Sequence, residues 1–250
     1  MIVLSLFPGI GLLDMAFEEE GFCVVRGPDL LWGGDIRRFH PPAGRFDGVI
    51  GGPPCQAFSR LRHMVEANGF TTAPNLIPEF ERIVGEAQPT WFVMENVPGA
   101  PMPSVAHYRV RDELVRDLWC GGLTERIRRF SFGTAEGRRL PIETLALHSP
   151  QGEGTVVAGH GLAPGQRDRR RAVVCDGRSV PVRIGGSGKP KATAGDGVLS
   201  MAEMCRLQGL PDDYLDHAPF TVHGKRKAIG NGVPLPMGRA VARAVKKAVL

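Results

Sequence analysis

Short apolar segments that each end abruptly at glycine, proline or polar residues are the feature that most constrains this fold. Residues 2–7, 46–50 and 91–94 are such segments, and they end at Pro-Gly-Ile-Gly, Gly-Gly-Pro-Pro and Glu-Asn-Val-Pro. Residues 22–25 form one more short apolar segment. Their length and apolar character are typical of buried strands in a parallel sheet.

Helical segments alternate with these strands. An amphipathic stretch at 12–20 follows the first strand, and 78–86 has the pattern of a second helix. Near the end of the chain, Ser200-Met201-Ala202-Glu203 has the capping-box pattern that opens a helix, and 238–249 is a basic amphipathic helix. The alternation predicts an α/β fold with a Rossmann-like, doubly wound parallel sheet. Ligands bind at the carboxyl ends of strands in such sheets.

The composition is that of a globular protein with a weak basic excess. The chain has 250 residues, 42% of them hydrophobic, which suits one α/β domain or a core with a small lobe. The formal net charge is +5. Residues 134–195 hold ten Lys and Arg against five Asp and Glu, so this Gly- and Pro-rich stretch accounts for the excess. It indicates either a polyanionic partner or a solvated surface.

The five cysteines are unlike one another in context. They show no zinc-binding spacing, so we expect free thiols in a reducing compartment and no metal. Cys23 and Cys175 lie in apolar runs, which favours buried structural thiols. Cys55 instead follows Gly-Gly-Pro-Pro at a strand end. A rigid loop of this kind presents a nucleophile, which makes Cys55 the candidate catalytic thiol.

Three further features stand at strand ends. The loop Phe7–Gly11 either lets a ligand approach a helix N-terminus or forms a plain tight turn. Asp29 and Asp35 lie in the following loops, where an acid either accepts hydrogen bonds from ribose hydroxyls or is simply solvated. Glu95 ends a very apolar strand, so its carboxyl group must be protonated or paired. We favour a role in proton transfer over a structural salt bridge.

Together these residues resemble the DNA cytosine-C5 methyltransferase family over nearly the whole chain, with the motifs in the family's order. Five segments are similar to motifs of this family. They are Phe7–Gly11 (cofactor loop), Gly52–Gln56 (nucleophile loop), Glu95–Val97 (acid motif), Arg206–Gly209 with Pro211 (penultimate motif) and Gly230–Pro234 (final motif).

The resemblance implies a cytosine-C5 methyltransferase that uses S-adenosylmethionine and acts on double-stranded DNA. Cys55 would add to C6 of a flipped-out cytosine, Glu95 would act at N3 and Arg129 would hold O2. The residues expected to bind the cofactor are Phe7, Gly9, Gly11, Leu12, Asp29, Leu30, Asp35, Ile36, Pro53, Leu76, Asn231 and Val233. Those expected to bind DNA are Gln56, Ser59, Arg167, Arg169, Arg170 and Arg171.

The chain departs from the family pattern at the arginine motif and in the second loop. The family has Gln-x-Arg-x-Arg, and the best match here is Glu125–Arg129, which keeps the final arginine but has Ile127 at the middle one. Leu30 stands where an aromatic residue often stacks on adenine, and Asp29 replaces the commoner glutamate.

The resemblance also suggests how the chain is divided. We expect a catalytic core at 1–133, a small irregular target-recognition lobe at 134–224, and a segment at 225–250 that completes the core. The enzyme is expected to be a monomer in the cytoplasm of a bacterium or encoded by a phage, with no membrane segment. Two alternatives remain open: a methyltransferase of the same chemistry acting on transfer RNA, and a DNA-binding regulator without turnover. The tail Ala57-Phe58-Ser59 favours DNA, and the presence of both Cys55 and Glu95 favours an enzyme.

Overall fold

A six-stranded mixed sheet forms the centre of the protein. The computed structural model describes residues 1–54, 74–145 and 199–250, and the backbone of four short strands between 156 and 180. The sheet order is β2-β1-β3-β4-β6-β5. Strands β1 to β4 run parallel, whereas β6 is antiparallel to both β4 and β5. The strands are β1 Ile2–Leu6, β2 Cys23–Arg26, β3 Gly48–Gly51, β4 Trp91–Asn96, β5 Arg109–Arg116 and β6 Ile127–Thr134.

Helices cover both faces of this sheet. Because side chains alternate along a strand, Val3, Ile50 and Val93 face one way and pack with the last helix, while Leu4, Val49 and Phe92 face the other. Helices α1 and α5 cover the first face, and α2 covers the second. The helices are α1 Leu12–Glu19, α2 Ile77–Ala87, α3 Met201–Leu207, α4 Val222–Asn231 and α5 Leu235–Val249.

Parts of the predicted lobe pack directly on the core. Leu199, Met204 and Leu215 form a buried cluster with Leu12 and Ala16 of α1. Leu140 is buried in the cluster under α5. Between these two parts the structure describes two small antiparallel hairpins, with strands β7 Val156–Val157, β8 Gly161–Leu162, β9 Val173–Cys175 and β10 Arg178–Val180.

The predicted α/β, Rossmann-like fold is confirmed, with three differences. The sheet is parallel only over β1 to β4. The sequence pattern missed β5 and α4, since β5 is a charged edge strand with exposed side chains and α4 is largely polar. Cys23 is exposed rather than buried, because β2 forms the other edge of the sheet.

The predicted capping box at the start of α3 is confirmed. The capping box forms, with Ser200 Oγ accepting from the Glu203 amide and Glu203 accepting from the Ser200 amide. Cys23, Cys120 and Cys205 are free thiols. No helix in the described parts of the chain is long and apolar enough to cross a membrane.

Candidate active site

The loop between β1 and α1 has a backbone shape suited to ligand approach. Phe7 (φ 56°), Gly9 (φ 56°) and Gly11 (φ 83°) all adopt left-handed conformations. Such a conformation is uncommon for a residue like Phe7, and strain of this kind concentrates at functional sites. A Cβ atom added at Gly9 would meet nothing within 4 Å, so open space lies beside the loop.

Asp29 fastens this loop from the end of β2. Its Oδ2 accepts a hydrogen bond from the Gly9 amide at 2.9 Å, and its Oδ1 accepts one from the Leu31 amide at 2.7 Å. The indole of Trp32 donates to the Gly9 carbonyl at 2.7 Å. The predicted cofactor acid therefore lies against the predicted cofactor loop, and each of its oxygens retains a lone pair for a further donor.

A buried aspartate and an exposed arginine form an ion pair beneath the same loop. Asp14 in the first turn of α1 is fully buried, accepts from Ser5 Oγ at 2.5 Å, and lies 2.9 Å from Arg26 Nε. Burial raises the pKa of Asp14, while Ser5 and Arg26 oppose that shift. A Cβ at Gly11 would lie 2.7 Å from Arg26 Nη2, so Arg26 fills the space under this glycine. Sequence analysis did not identify either charged residue.

The other predicted cofactor residues are divided between surface and core. Leu30 is 68% exposed, and Trp32 is 57% exposed with its ring 5.2 Å from that of Phe220. The Asp35 carboxylate caps a short 3-10 turn and pairs with Arg37, whose hydrogen bond lowers the pKa of Asp35. Ile36 and Leu76 are buried together in the cluster under α2, and Pro53 is also buried.

The final motif lies against the cofactor loop although it is more than 200 residues away in the chain. A Cβ at Gly232 would approach Leu12 Cδ2 to 2.9 Å, and Val233 is buried beside it, while Asn231 is exposed at the end of α4. The buried Gln208 side chain donates to the Ile229 carbonyl at 3.0 Å. Gln208 of the penultimate motif thus holds the start of the final motif in place.

Glu95 forms the centre of the second half of the site. It is 8% exposed at the end of β4, and its Oε1 lies 2.7 Å from Arg128 Nε. A Cβ at Gly52 would lie 2.9 Å from the other oxygen, Oε2, so this oxygen faces the loop that leads to Cys55. The neighbouring Asn96 side chain donates to the Pro53 carbonyl at 3.3 Å. Glu95 is thus paired with an arginine through one oxygen, and its role in proton transfer stays a prediction.

The arginines of β6 alternate between two sides of the strand. Glu95 is opposite Phe130 in the register, and Arg128, two residues along, reaches the Glu95 carboxylate from the same side. Arg129 points elsewhere: its Nη1 donates to the Ala100 carbonyl at 2.5 Å and its Nε lies 3.4 Å from Asp112 Oδ2. The structure therefore pairs Arg128 with the candidate acid, and the role predicted for Arg129, to hold O2 of the base, stays a prediction.

A third arginine, Arg126, precedes β6 and lies on the same side as Arg128. Its side chain is 2% exposed and its Nη1 donates to the Gly230 carbonyl at 3.0 Å. Arg126 and Arg128, two residues apart, form the Arg-x-Arg pair. The alternation of side chains along a strand is the signal that could have identified this register from the sequence.

Several predicted residues lie outside the described ranges. These are the nucleophile Cys55, the DNA contacts Gln56 and Ser59, and the arginines Arg167, Arg169, Arg170 and Arg171. Pro54 is the last described residue before the nucleophile, and it directly follows Pro53, which Asn96 contacts.

Comparison with known proteins gives one family. The model of C-5 cytosine-specific DNA methylases matches residues 33–113 and 166–247. Type II methyltransferase M.NgoPII of Neisseria gonorrhoeae is 25% identical to the chain, with 99% of this chain and 96% of that protein covered. Type II methyltransferase M.MthTI of Methanothermobacter thermautotrophicus is 24% identical, with 99% and 97% covered.

Solved structures agree at the level of the fold. A protein described as a DNA modification methyltransferase encoded within an E. coli prophage superposes with a TM-score of 0.63 and 19% identity, covering 100% of this chain and 99% of that one. A mutant of Spodoptera frugiperda DNMT2 superposes with a TM-score of 0.58 and 15% identity, covering 98% and 99%.

Proposed function

Since the chain belongs to the C-5 cytosine-specific DNA methylase family, we propose that it transfers a methyl group from S-adenosylmethionine to C5 of cytosine in double-stranded DNA. The observation that carries the proposal is the Glu95 carboxyl group, held through Oε1 by Arg128 while Oε2 faces the Gly52 backbone, three residues before Cys55. We propose that this carboxyl group handles a proton beside the loop that bears the candidate nucleophile.

The residues around the first loop fit S-adenosylmethionine. The open space beside Gly9 lets a ligand approach the backbone closely. The Asp29 carboxylate suits the ribose hydroxyls of the cofactor, and the exposed Leu30 suits its adenine ring. The final motif at Gly232 and Val233 closes the side next to Leu12. When bound, the cofactor supplies an electrophilic methyl group.

Cytosine needs activation before C5 can take this methyl group, because its ring is aromatic and electron-poor. The Cys55 thiolate forms a bond to C6, and the electron pair of the C5–C6 double bond becomes available at C5. The activated C5 would then take the methyl group that a bound cofactor supplies, which would leave the sulfur of the cofactor neutral. A water molecule then takes the C5 proton, the Cys55 thiolate departs to restore the double bond, and N3 returns its proton to Glu95.

Glu95 and Arg128 manage the charge that this addition creates. Addition at C6 raises electron density at N3, and Glu95 gives it a proton or a hydrogen bond. The carboxylate that remains after proton transfer is stabilised by the Arg128 guanidinium 2.7 Å away. Arg129, which the sequence predicts to hold O2 of the base, instead contacts the Ala100 carbonyl in the loop after β4 and Asp112 on β5.

DNA binding completes the proposal. The target carbon is inaccessible inside a duplex, so the cytosine must be flipped out of the helix. We propose that the lobe, centred on residues 146–198, reads the sequence and contacts phosphates. The names of the relatives, type II methyltransferases, support a role in DNA modification.

A covalent-trapping experiment tests the proposal. Duplex DNA containing 5-fluorocytosine, with S-adenosylmethionine, should give a covalent adduct with the wild-type protein, because fluorine at C5 cannot leave as a proton does. Cys55→Ala should give no adduct and no methylation, while it retains cofactor binding by calorimetry. Total RNA serves as the competing substrate. Methylation of RNA in preference to duplex DNA, or an adduct that persists in Cys55→Ala, would overturn the proposal.

A further inference from the structure

The basic residues of helices α4 and α5 differ in what they contact. On α5, Arg239 pairs with Glu19, Arg243 with Glu20 and Lys247 with Glu143. The remaining one, Lys246, donates to the Glu20 carbonyl at 2.8 Å. The positive charge of α5 is therefore largely neutralised by carboxylates of the core.

Among the residues that the structure describes, the basic residues of α4 have no such partners. The helix carries Lys225, Arg226 and Lys227 and contains no acidic residue. Within the described part of the chain, no carboxylate lies at ion-pair distance from any of the three. Lys225 donates to the Asp216 carbonyl at 3.0 Å, and the contact of Arg226 is with the sulfur of Met204 at 3.6 Å.

Three of the polar residues of α4 share one side of the helix. His223, Arg226 and Lys227 are three and four positions apart, which places them together along the helix surface. His223 and Lys227 are exposed, and Arg226 is half-buried. The aspartates of the preceding segment, Asp212, Asp213 and Asp216, are exposed but lie outside ion-pair distance of this side.

The position of α4 puts this side next to the candidate active site. The helix ends at Asn231, and its Gly230 carbonyl accepts from Arg126, two residues before the arginine that holds Glu95. At a rise of 1.5 Å per residue, Lys227 and His223 lie roughly 5 and 10 Å along the helix from Gly230. This corresponds to about one to three nucleotides of a strand at 3.4 Å each.

Helix α4 also borders the lobe. The backbone of β7, the first strand of the lobe, lies against α4. A duplex bound between the core and the lobe would therefore pass close to the unpaired charges of this helix.

We infer that the His223, Arg226 and Lys227 side of α4 binds the DNA phosphate backbone beside the flipped cytosine. This inference rests on the proposed function. On α5, carboxylates of the protein itself neutralise the basic side chains. On α4, DNA phosphates would do so, because exposed Lys and Arg side chains are the usual hydrogen-bond donors to phosphates. Because backbone contacts carry no sequence information, the contribution of α4 should be the same on every DNA sequence.

A matched pair of double variants tests the inference. Arg226→Ala with Lys227→Ala removes two positive charges from α4, and Arg243→Ala with Lys247→Ala removes two from α5, so both proteins have the same net charge. DNA binding is measured by fluorescence anisotropy between about 50 and 200 mM salt. The α4 variant should bind duplex DNA at least tenfold more weakly, and its plot of log affinity against log salt should be shallower by about 1.8, or about 0.9 per lost phosphate contact.

The controls separate this inference from the proposed function and from misfolding. The α5 variant should keep wild-type affinity within about twofold, and both variants should bind S-adenosylmethionine normally by calorimetry. If the α4 variant melts early, Lys227→Gln alone, at an exposed position, should still flatten the salt dependence by about 0.9. Equal behaviour of the α4 and α5 variants would overturn the inference. Wild-type methylation measured in the same samples tests the proposed function separately.

Discussion

The cofactor side of the site and its base side are built from different contacts. On the cofactor side, side chains hold the backbone of one loop: Asp29 accepts from the Gly9 amide, Trp32 donates to the Gly9 carbonyl, and Tyr214 donates to the Ile10 carbonyl at 3.1 Å. On the base side, the Arg128 guanidinium pairs with the Glu95 carboxylate, and both side chains are largely buried.

This difference decides how each side should respond to substitution. When a side chain that holds the loop backbone is removed, other contacts still support the loop, and the expected loss of free energy is that of one hydrogen bond. When one member of a buried ion pair is removed, the other charge is left without a partner, and the loss of free energy is much larger. We therefore expect the base side to govern turnover and the cofactor side to govern affinity.

Among the substitutions that compare the two sides, the largest effect should come from Glu95→Gln. The amide keeps the shape of the side chain but can no longer give a proton to N3, so turnover should fall by about 100-fold or more, the usual scale for general acid catalysis. The measurement is the rate of methyl transfer to duplex DNA at saturating cofactor, and cofactor affinity by calorimetry should stay within about twofold.

Glu79→Gln is the matched control for this substitution. Glu79 on α2 also pairs with an arginine, Arg82, at 2.9 Å, but it lies outside the site. Its loss should leave turnover unchanged. A rate for Glu95→Gln within a few-fold of wild type would reduce Glu95 to a structural role.

The next largest effect should separate two neighbouring arginines. Arg128→Gln removes the group that stabilises the Glu95 carboxylate, so turnover should fall by about 10- to 100-fold, as for the loss of a hydrogen bond to a charged group. Arg129→Gln removes the contact to Ala100 and leaves the ion pair intact, so its effect should be several-fold smaller.

A conservative replacement shows whether Arg128 acts through its charge. Arg128→Lys keeps the positive charge and should recover part of the lost turnover, whereas the thermal midpoint of each variant reports its stability. A larger loss of turnover in Arg129→Gln than in Arg128→Gln would contradict the role given to Arg128 and would favour the predicted contact of Arg129 with O2 of the base.

The same contrast explains what could be predicted from the sequence. The sequence was sufficient to predict the strand ends, the glycine loop, Asp29 and Glu95. Each of these features lies in a short run of consecutive residues close to an apolar strand. The choice among Arg126, Arg128 and Arg129 depends on which of them lie on the same face of the sheet as Glu95, and that is set by the register between β6 and β4.

Long-range contacts account for the other omissions. Asp14 has the appearance of an ordinary helix acid in the sequence, and its burial under the cofactor loop follows from the positions of Ser5 and Arg26 on neighbouring strands. Strand β5 is charged because it lies at the edge of the sheet, where one side faces water, and a hydrophobic pattern cannot reveal such a strand.

The smallest effect on turnover should come from Asp29→Ala, which tests the cofactor side. The substitution removes the acceptor of the Gly9 and Leu31 amides and a group suited to ribose hydroxyls, so S-adenosylmethionine should bind more weakly by roughly 1–3 kcal/mol. Turnover at saturating cofactor should stay close to wild type, because Glu95 and Arg128 are unaffected.

Asp35→Ala is the control: its carboxylate is paired with Arg37, and we expect a smaller loss of affinity. Calorimetry measures both affinities, and steady-state rates separate KM from kcat. A fall in kcat without a change in cofactor affinity would mean that the two sides of the site are not divided in this way, and equal losses in both variants would move the ribose contact away from Asp29.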